Sequence, residues 1–361
     1  MSSPRLVSVI GGTGAQGNPI IKSLVSSGLY TVRALTRDPT NARFKELQSY
    51  GPVEPVIGTY ASESDLRALF RGAWGAFVNI DGTNSGEKGE IFWTIRAWEL
   101  AIEEGVQLFV LGTLDYAYKN SGFRPQFRAA HYDAKGRVGD FILAQNKDAE
   151  FRKLAKMRSA LFTSGPYIEM TLGKHTVFAP VVEGDTAVWR VPLASGAVPF
   201  TALDDCGFYV KYLFDHPEQA DGLNLAVALD HVNFDEYTRA FTAVTGHPAR
   251  WEDVDLGQHL EKTFGPKIDE PYGYNTDPAD PATITLRQNF TAFFEIWRNS
   301  AGNQGIVTRD YAFLDRIHPG RIKSVEEWLR REEKKGRDLW RSTKELEHVL
   351  KAFEEGFTGK I

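Results

Sequence analysis

The sequence predicts an α/β fold in which a doubly wound parallel sheet is joined by a smaller, interleaved α+β domain and by terminal helices. Short apolar segments alternate with helical segments over about the first 160 residues, which is typical of such a sheet. The first apolar segment ends in a glycine-rich turn. The alternation weakens near residue 165. We therefore expect a sheet domain at 1–165 and a mostly separate domain at 166–361, some of whose segments return to the first sheet.

The strands of the first half are short apolar runs, and helical segments separate them. The predicted strands are Leu6–Ile10, Tyr30–Thr36, Val53–Ile57, Gly75–Ile80, Gln107–Leu111 and Arg158–Thr163. The predicted helices are Pro19–Ser26, Asn41–Tyr50, Glu63–Phe70, Glu87–Glu104 and Arg128–Leu143. Right-handed crossovers would place these helices on both faces of the sheet. A ligand crevice is then expected at the carboxyl ends of the strands, where the strand order reverses.

The second half mixes helices with a strand and a long loop. We predict a strand at Val188–Val191 and helices at Thr201–Phe214 and Phe234–Thr245, the latter ending at Gly246. The proline-rich segment 265–282 is predicted to be a loop and a candidate lid. Helical spacing also unites an aromatic stripe, which favours a buried face over a substrate wall: Phe290, Phe293, Phe294 and Trp297. Capping-box spacing predicts that two terminal helices begin at Ser324 and Ser342, the second ending near Gly356.

Composition excludes several classes of protein. Acidic residues outnumber basic residues 47 to 42, so the chain has no overall basic field for nucleic acid or for an anionic membrane. The single cysteine, Cys206, cannot form an internal disulfide, which favours a reducing compartment. We find neither a zinc-type Cys/His spacing nor an apolar run long enough to span a membrane. We therefore expect a cytoplasmic protein without a metal site.

The glycine-rich turn contains two overlapping dinucleotide-binding patterns, Gly12-x-Gly14-x-x-Gly17 and Gly11-x-x-Gly14-x-x-Gly17. Glycine permits the tight turn and a close approach to a pyrophosphate, and the amides of the following helix then face the phosphates. Because the turn follows a predicted strand and opens a predicted helix, it predicts a dinucleotide-binding domain of the Rossmann type. The expected phosphate-binding residues are Gly11, Gly12, Thr13, Gly14, Ala15, Gln16 and Gly17.

The end of the second predicted strand favours NADP(H) over NAD(H). An NAD site usually carries an acidic residue at this point, whereas Thr36 is followed by Arg37, whose guanidinium suits a 2′-phosphate. Asp38 is the counter-evidence, because its carboxylate can accept hydrogen bonds from ribose hydroxyls.

Several segments beyond the glycine turn also carry a resemblance to a known family. They are Val32–Pro39, His131–Gly136, Gly165–Met170, Leu203–Gly207, Arg309–Pro319 and Glu326–Leu329. Together with the turn, they resemble the NmrA-like branch of the atypical short-chain dehydrogenases, particularly its fungal members. The resemblance extends from residue 5 to about residue 330.

The resemblance implies an NADP-binding Rossmann domain with a smaller substrate domain, and it leaves three functions open. The first is an NADPH-dependent reductase of a carbonyl, enone or imine in a small organic substrate, including secondary metabolites. The second is a nucleotide-sensing regulator that binds a protein partner without turnover and can reside in the nucleus. The third is a cyclase or isomerase that uses bound NADP(H) as a scaffold.

The resemblance also points to catalytic candidates. Short-chain dehydrogenases use Tyr-x-x-x-Lys, and the same spacing here reads His131-x-x-x-Lys135. Positions i and i+4 share a helix face, so both side chains can enter one cleft, with Lys135 on the ribose. His131, as an imidazole that titrates near neutral pH, can serve as the acid or can shape a binding site without turnover. Tyr116 and Tyr118 are alternative proton donors. Thr113 is expected to bind a carbonyl or the ribose, or to cap its strand.

The remaining candidates follow other strand ends. Asn79 and Tyr167 are expected beside the cofactor. Asp81 is expected to bind a cationic substrate, with capping of the next helix as its alternative. Glu169 and His175 are expected to line the substrate side.

Overall fold

The structure is a computed structural model that describes residues 3–346. Its strands are β1 (Arg5–Ile10), β2 (Tyr30–Thr36), β3 (Val53–Ile57), β4 (Gly75–Val78), β5 (Leu108–Leu114), β6 (Arg158–Ser164), β7 (Val181–Glu183), β8 (Thr186–Arg190), β9 (Val198–Phe200), β10 (Asn224–Ala226), β11 (Asp230–Val232) and β12 (Ala249–Glu252). Its α-helices are α1 (Gly17–Ser26), α2 (Ala42–Ser49), α3 (Glu63–Phe70), α4 (Gly82–Glu103), α5 (Ala117–Asn120), α6 (Ala130–Lys147), α7 (Ala149–Leu154), α8 (Leu203–Asp215), α9 (Pro217–Ala220), α10 (Phe234–Thr245), α11 (Leu256–Phe264), α12 (Leu286–Arg298), α13 (Tyr311–Ile317), α14 (Val325–Lys334) and α15 (Leu339–Glu345).

The predicted doubly wound sheet is confirmed. Seven parallel strands follow the order β3-β2-β1-β4-β5-β6-β10. The order reverses beside β1, where Val7 pairs with Val32 of β2 on one side and with Gly75 of β4 on the other. The central strands are almost wholly buried, as expected for a parallel sheet covered on both faces by helices. The reversal opens a crevice at the carboxyl ends of β1 and β4.

The second half forms a smaller α+β part that stays in contact with the first sheet. It contains an antiparallel pair, β9 and β11, and a three-stranded sheet in the order β7-β8-β12. Strand β10 joins the parallel sheet beside β6, and α8 packs on α1. The close helix contact needs Gly207, since a Cβ there would lie 2.5 Å from the Pro19 carbonyl oxygen. The domain division at residue 165 stays a prediction.

Several predicted boundaries differ from the structure. Helix α4 begins at Gly82, before the predicted start at Glu87, and contains a kink at Gly86, whose φ is 69°. Ser324 caps α14 as predicted, because its side chain accepts a hydrogen bond from the Glu327 amide. The reciprocal bond of a capping box is not formed, since the Glu327 carboxylate accepts from the Lys323 amide. The box at Ser342 is wrong. Asp338 caps α15 by accepting from the Arg341 amide, which leaves Ser342 inside the helix. The predicted end near Gly356 lies outside the described residues.

Two searches of residues 3–346 gave negative results. No helix in this range is long and apolar enough to cross a membrane. No group of histidine, cysteine and carboxylate side chains in it is arranged to hold a metal ion.

Candidate functional site

A cavity of about 1500 Å³ opens at the carboxyl ends of β1, β2, β4, β5 and β6. Residues from the second half of the chain line the rest of it. It therefore occupies the crevice that the strand order predicts. The sequence-predicted residues that line it are Gly11, Thr13, Gly14, Ala15, Gln16, Gly17, Arg37, Asn79, Asp81, Thr113, His131, Lys135, Tyr167 and His175.

The glycine turn forms the wall of the cavity at the β1 end. Gly11 has a φ of 84°, and a Cβ there would lie 2.5 Å from the Asn79 carbonyl oxygen. A Cβ at Gly17 would lie 2.2 Å from the Gly11 carbonyl oxygen, so α1 can approach the turn only through glycine. Gly12 does not line the cavity and instead packs against Ile21 of α1. Helix α1 has no side-chain cap at its N-terminus, and Gln16 and Gly17 there line the cavity, as a phosphate site requires.

Two arginines line the cavity beyond the end of β2. Arg37 is exposed, whereas Arg43 is partly buried, and its Nη1 donates to the Thr13 carbonyl of the glycine turn at 3.2 Å. The Asp38 carboxylate, the counter-evidence to a 2′-phosphate site, accepts from the amide and the hydroxyl of Thr40 at 2.8 and 2.6 Å. These bonds hold the pKa of Asp38 below its usual value and occupy one carboxylate oxygen. The two arginines thus bring to this side of the cavity the positive charge that a phosphate needs.

Lys135 lies in the floor of the cavity, surrounded by acceptors. Its ammonium lies 2.6 Å from the Glu90 carboxylate and donates to the Asn79 side-chain oxygen at 2.9 Å and to the Ile80 carbonyl at 2.8 Å. Two hydrogen bonds and one ion pair therefore hold the ammonium in place. The ribose contact implied by the resemblance stays a prediction, and it would have to share or replace one of these bonds.

His131 lies on the same face of α6 and is enclosed by aromatic rings. Its Nδ1 is 3.0 Å from the Asn289 side-chain oxygen, and the rings of Tyr272, Phe290 and Phe293 lie within 5.9 Å, centroid to centroid. Burial lowers the pKa of His131 to about 4, and the nearby Lys135 ammonium acts in the same direction. Burial therefore opposes an imidazole that titrates near neutral pH, and the role of His131 as the acid stays a prediction.

We expect His131 to remain uncharged from pH 5 to pH 8. Nitrogen chemical shifts of histidine-labelled protein, assigned with the His131→Gln variant, should show a neutral ring throughout that range. A titration near the ordinary histidine value of about 6.5 would contradict the burial argument.

The aromatic stripe on α12 divides between the cavity and the core. Phe293, Phe294 and Trp297 are buried, as predicted, and Phe290 is partly buried against them. Phe290 and Phe293 also line the cavity. The predicted loop at 265–282 contains a short 3-10 helix and then passes over the start of α4. There the Tyr274 amide donates to the Thr83 carbonyl at 3.0 Å. Its function as a lid stays a prediction.

Besides Gly12, three candidates lie outside the cavity, and their assignments are corrected. The Tyr116 ring packs against Gly136 on another face of α6, and its hydroxyl accepts from Arg137 at 3.2 Å. The Tyr118 ring packs edge-on against Phe123. Neither tyrosine lines the cavity, so neither can replace the missing proton donor.

Glu169 is the third of these residues. Its Oε1 accepts from the Leu203 amide at 2.9 Å and so caps α8 from outside that helix. Burial raises the pKa of Glu169 to about 8. The residue does not line the cavity and is withdrawn as a substrate ligand.

The remaining candidates lie at the cavity in different ways. Asp81 caps α4 by accepting from the Thr83 and Asn84 amides, which is the structural alternative, and it also lines the cavity. Thr113 is buried at the end of β5. Tyr167 lines the cavity, and burial raises the pKa of its hydroxyl. His175 has a φ of 57° and is exposed.

Known proteins share this combination of parallel sheet, glycine turn and smaller α+β part. The family model described as the NmrA-like family matches residues 3–277. The chain belongs to the NmrA-like family. The resemblance inferred from the sequence is thus confirmed.

Relatives of this NmrA-like chain occur in fungi. The NmrA-like family domain-containing oxidoreductase hkm9 of Aspergillus hancockii is 27% identical over 281 residues, which cover 74% of this chain and 81% of that protein. The oxidoreductase FrzB of a Cladobotryum species is 28% identical over 263 residues, which cover 69% of this chain and 76% of that protein.

Solved structures share the NmrA-like fold at low identity. NmrA, a negative transcriptional regulator, in complex with NADP, is 17% identical with a TM-score of 0.67, covering 94% of this chain and 99% of that one. The triphenylmethane reductase of a Citrobacter species, complexed with NADP(H), is 13% identical with a TM-score of 0.63, covering 91% and 99%. At these identities the likeness shows the fold alone.

Sequence reasoning missed four residues that shape this NmrA-like site: Arg43, Glu90, Tyr272 and Asn289. Arg43 comes six residues after Arg37, so the sequence itself shows a second basic residue shortly after β2. The other three meet their partners only through the tertiary fold, and no local pattern marks them.

Proposed function

We propose that this chain is an NADPH-dependent reductase of the NmrA-like type, which reduces a carbonyl, an enone or an imine of a small organic substrate. One observation carries the proposal. A single cavity contains a glycine turn at a helix N-terminus, two arginines, and an aromatic-lined end that holds His131 and Lys135 on one helix face. The relatives named as oxidoreductases add support.

The residues fit a dinucleotide with a 2′-phosphate. The turn leaves no room for side chains at Gly11 and Gly17, so its backbone is free to approach a pyrophosphate. Arg37 and Arg43 supply positive charge where a 2′-phosphate of NADP(H) would lie. When bound, the reduced nicotinamide supplies a hydride. Two structural neighbours contain NADP or NADP(H) in their complexes, which agrees with this choice.

His131 is proposed to act as a neutral hydrogen-bond donor to the substrate. As placed, Nδ1 donates to the Asn289 oxygen, and the Asn289 NH₂ group, which is fully buried, has no partner among the described residues. Turning the amide over would let that NH₂ donate to Nδ1 and put the imidazole proton on Nε2. Buried donors without partners are rarer than buried acceptors without partners, which favours this second arrangement. An Nε2–H can then donate to a carbonyl oxygen or an imine nitrogen.

The aromatic-lined end of the cavity, around His131, favours a flat substrate with an electron-poor nitrogen. Phe290, Phe293 and Tyr272 offer ring faces, and Asp81 and Glu270 also line the cavity. Aromatic faces and carboxylates both stabilise a cation. The carboxylates and ring faces therefore suit an iminium or a protonated cyclic imine, whereas the Nε2–H of His131 suits a carbonyl oxygen or an unprotonated imine nitrogen, because an iminium nitrogen has no lone pair to accept a hydrogen bond.

Arg37→Ala and Arg43→Ala should each weaken NADPH roughly tenfold or more and leave NADH nearly unchanged, because a charge-assisted phosphate contact contributes about 1.5–3 kcal/mol. The measurement is a fluorescence titration with both nucleotides. Arg33→Ala is the control, since Arg33 is on β2, the strand that precedes both arginines, but it donates to the Leu69 and Arg71 carbonyls and does not line the cavity. An equal loss for NADPH and NADH would refute the 2′-phosphate site.

The reaction itself is tested by following NADPH absorbance while ketones, enones and cyclic imines are added in turn. We expect consumption with at least one class, and His131→Phe should lower the rate while NADPH still binds. The structure also contains a feature that suits a nucleotide-sensing regulator, because the Lys135 donors are already engaged. Tight binding without consumption across the panel would favour that second function.

A further inference from the structure

A buried carboxylate lies beneath the floor of the cavity and contacts Lys135. Glu90 is on α4, four residues after the kink at Gly86, and is only 1% exposed. Its Oε1 lies 2.6 Å from the Lys135 ammonium, and no other hydrogen-bond donor of residues 3–346 reaches either carboxylate oxygen. A buried carboxylate is costly without a partner, so burial raises the pKa of Glu90, and the Lys135 ammonium opposes that shift.

The ammonium connects Glu90 to the glycine turn through a row of amides. Lys135 donates to the Asn79 oxygen at 2.9 Å, and the Asn79 NH₂ group donates to the Gln16 oxygen at 2.7 Å. The Gln16 NH₂ group then donates to the Ser164 hydroxyl at 3.3 Å. Since the Asn79 oxygen faces the cation, its NH₂ group must face Gln16. The charge on Lys135 therefore fixes the orientation of both amides at the cavity floor.

We propose that Glu90 is a positioning residue of the dinucleotide site, which holds Lys135 as an ammonium and thereby orients Asn79 and Gln16 toward the bound cofactor. The inference rests on the proposed function, because it assigns Glu90 to that same site. Glu90 itself does not line the cavity, so it acts through Lys135.

Removing the carboxylate makes the ammonium form of Lys135 dependent on pH. In E90Q the ammonium stays buried but loses its counter-charge, which favours release of its proton. The charged and titratable groups around the pair are Asp81, which caps α4, Glu87 of α4, His131 of α6, Tyr60 and Tyr272. Burial lowers the pKa of His131 and raises the pKa of both tyrosines, which disfavours their charged forms, so the other carboxyl groups near the lysine are those of Asp81 and Glu87.

The experiment measures the NADPH dissociation constant of the wild-type protein and of E90Q between about pH 7 and pH 9.5. We expect a nearly constant value for the wild type. For E90Q we expect binding that weakens roughly tenfold as the pH rises, which is the loss of one charge-assisted contact. An E90Q variant with wild-type affinity and a wild-type pH profile would overturn the inference.

A double-mutant cycle separates positioning from a purely structural contribution. K135M leaves the buried Glu90 carboxylate without its cation and should lower the melting temperature. E90Q/K135M should restore the melting temperature, because no unpaired charge remains. The double variant should nevertheless bind NADPH as weakly as K135M, whereas full recovery of affinity would refute the positioning role. If the wild-type protein binds no dinucleotide, the proposed function fails together with this inference. If it binds and E90Q is unchanged, only this inference fails.

Discussion

Asp115→Ala is expected to destabilise the protein by about 3–5 kcal/mol. Asp115 follows β5, and its two oxygens accept from Nη1 and Nη2 of Arg309 at 2.7 and 2.8 Å. The Arg309 side chain is fully buried and also donates through Nε to the Val227 carbonyl. Removal of Asp115 leaves a guanidinium in the interior without its counter-charge.

Urea unfolding measures this cost, and an exposed ion pair provides the control. Glu326 pairs with Arg330 on α14 with about half of each side chain exposed, so Glu326→Gln should cost no more than about 1 kcal/mol. The double variant Asp115→Leu/Arg309→Met should recover much of the lost stability, since a buried pair can be replaced by apolar side chains. A loss of under about 1 kcal/mol in Asp115→Ala would show that the pair does not join the C-terminal segment to the sheet.

Gly17→Ala is expected to lower NADPH affinity by roughly tenfold or more and to destabilise the fold by about 1–3 kcal/mol. The added methyl group would lie 2.2 Å from the Gly11 carbonyl oxygen and 2.7 Å from Gly12 Cα. Both neighbours are backbone atoms, so the turn must shift to relieve the clash, and the shift moves the amides that would contact the phosphates. Calorimetric titration with NADPH and thermal unfolding measure the two losses.

Gly89→Ala is the matched control for this substitution. Gly89 lies inside α4, where a Cβ would lie 3.4 Å from the Ser85 Cβ, an ordinary contact. Because alanine favours a helix interior over glycine, this variant should be unchanged or more stable by about 0.5–1 kcal/mol. If Gly17→Ala also bound NADPH with wild-type affinity, the turn would not be a phosphate site.

Strands β1, β4 and β5 of the first sheet could be predicted from sequence because each is a short, mostly apolar run next to turn residues. Glycines also mark the ends of elements. Gly11 follows strand β1, and Gly246, in the left-handed conformation, ends helix α10. Strands β7, β9, β10 and β11 have only three residues each, which is too short for a two-residue period to appear. Their existence depends on the pairing partners that the fold brings to them.

The candidate site divides in the same way. Gly11, Gly17, His131 and Lys135 were recognised because the relevant spacings are local in sequence. Tyr116, Tyr118 and Glu169 were misplaced because the position after a strand does not fix the direction of a side chain. Glu90 and Asn289 were missed because each meets its partner, Lys135 or His131, across a long stretch of chain.

The central claim is that the cavity holds a reduced nicotinamide beside a reducible substrate, and transfer of deuterium tests it most directly. The protein is incubated with NADPH deuterated at the transferable C4 position and with the ketones, enones and cyclic imines in turn, and the products are analysed by mass spectrometry. A product that carries one deuterium at the reduced carbon is the result that the structure predicts. A product without deuterium, formed while NADPH is not consumed, would contradict hydride transfer and indicate a cofactor that serves only as a scaffold.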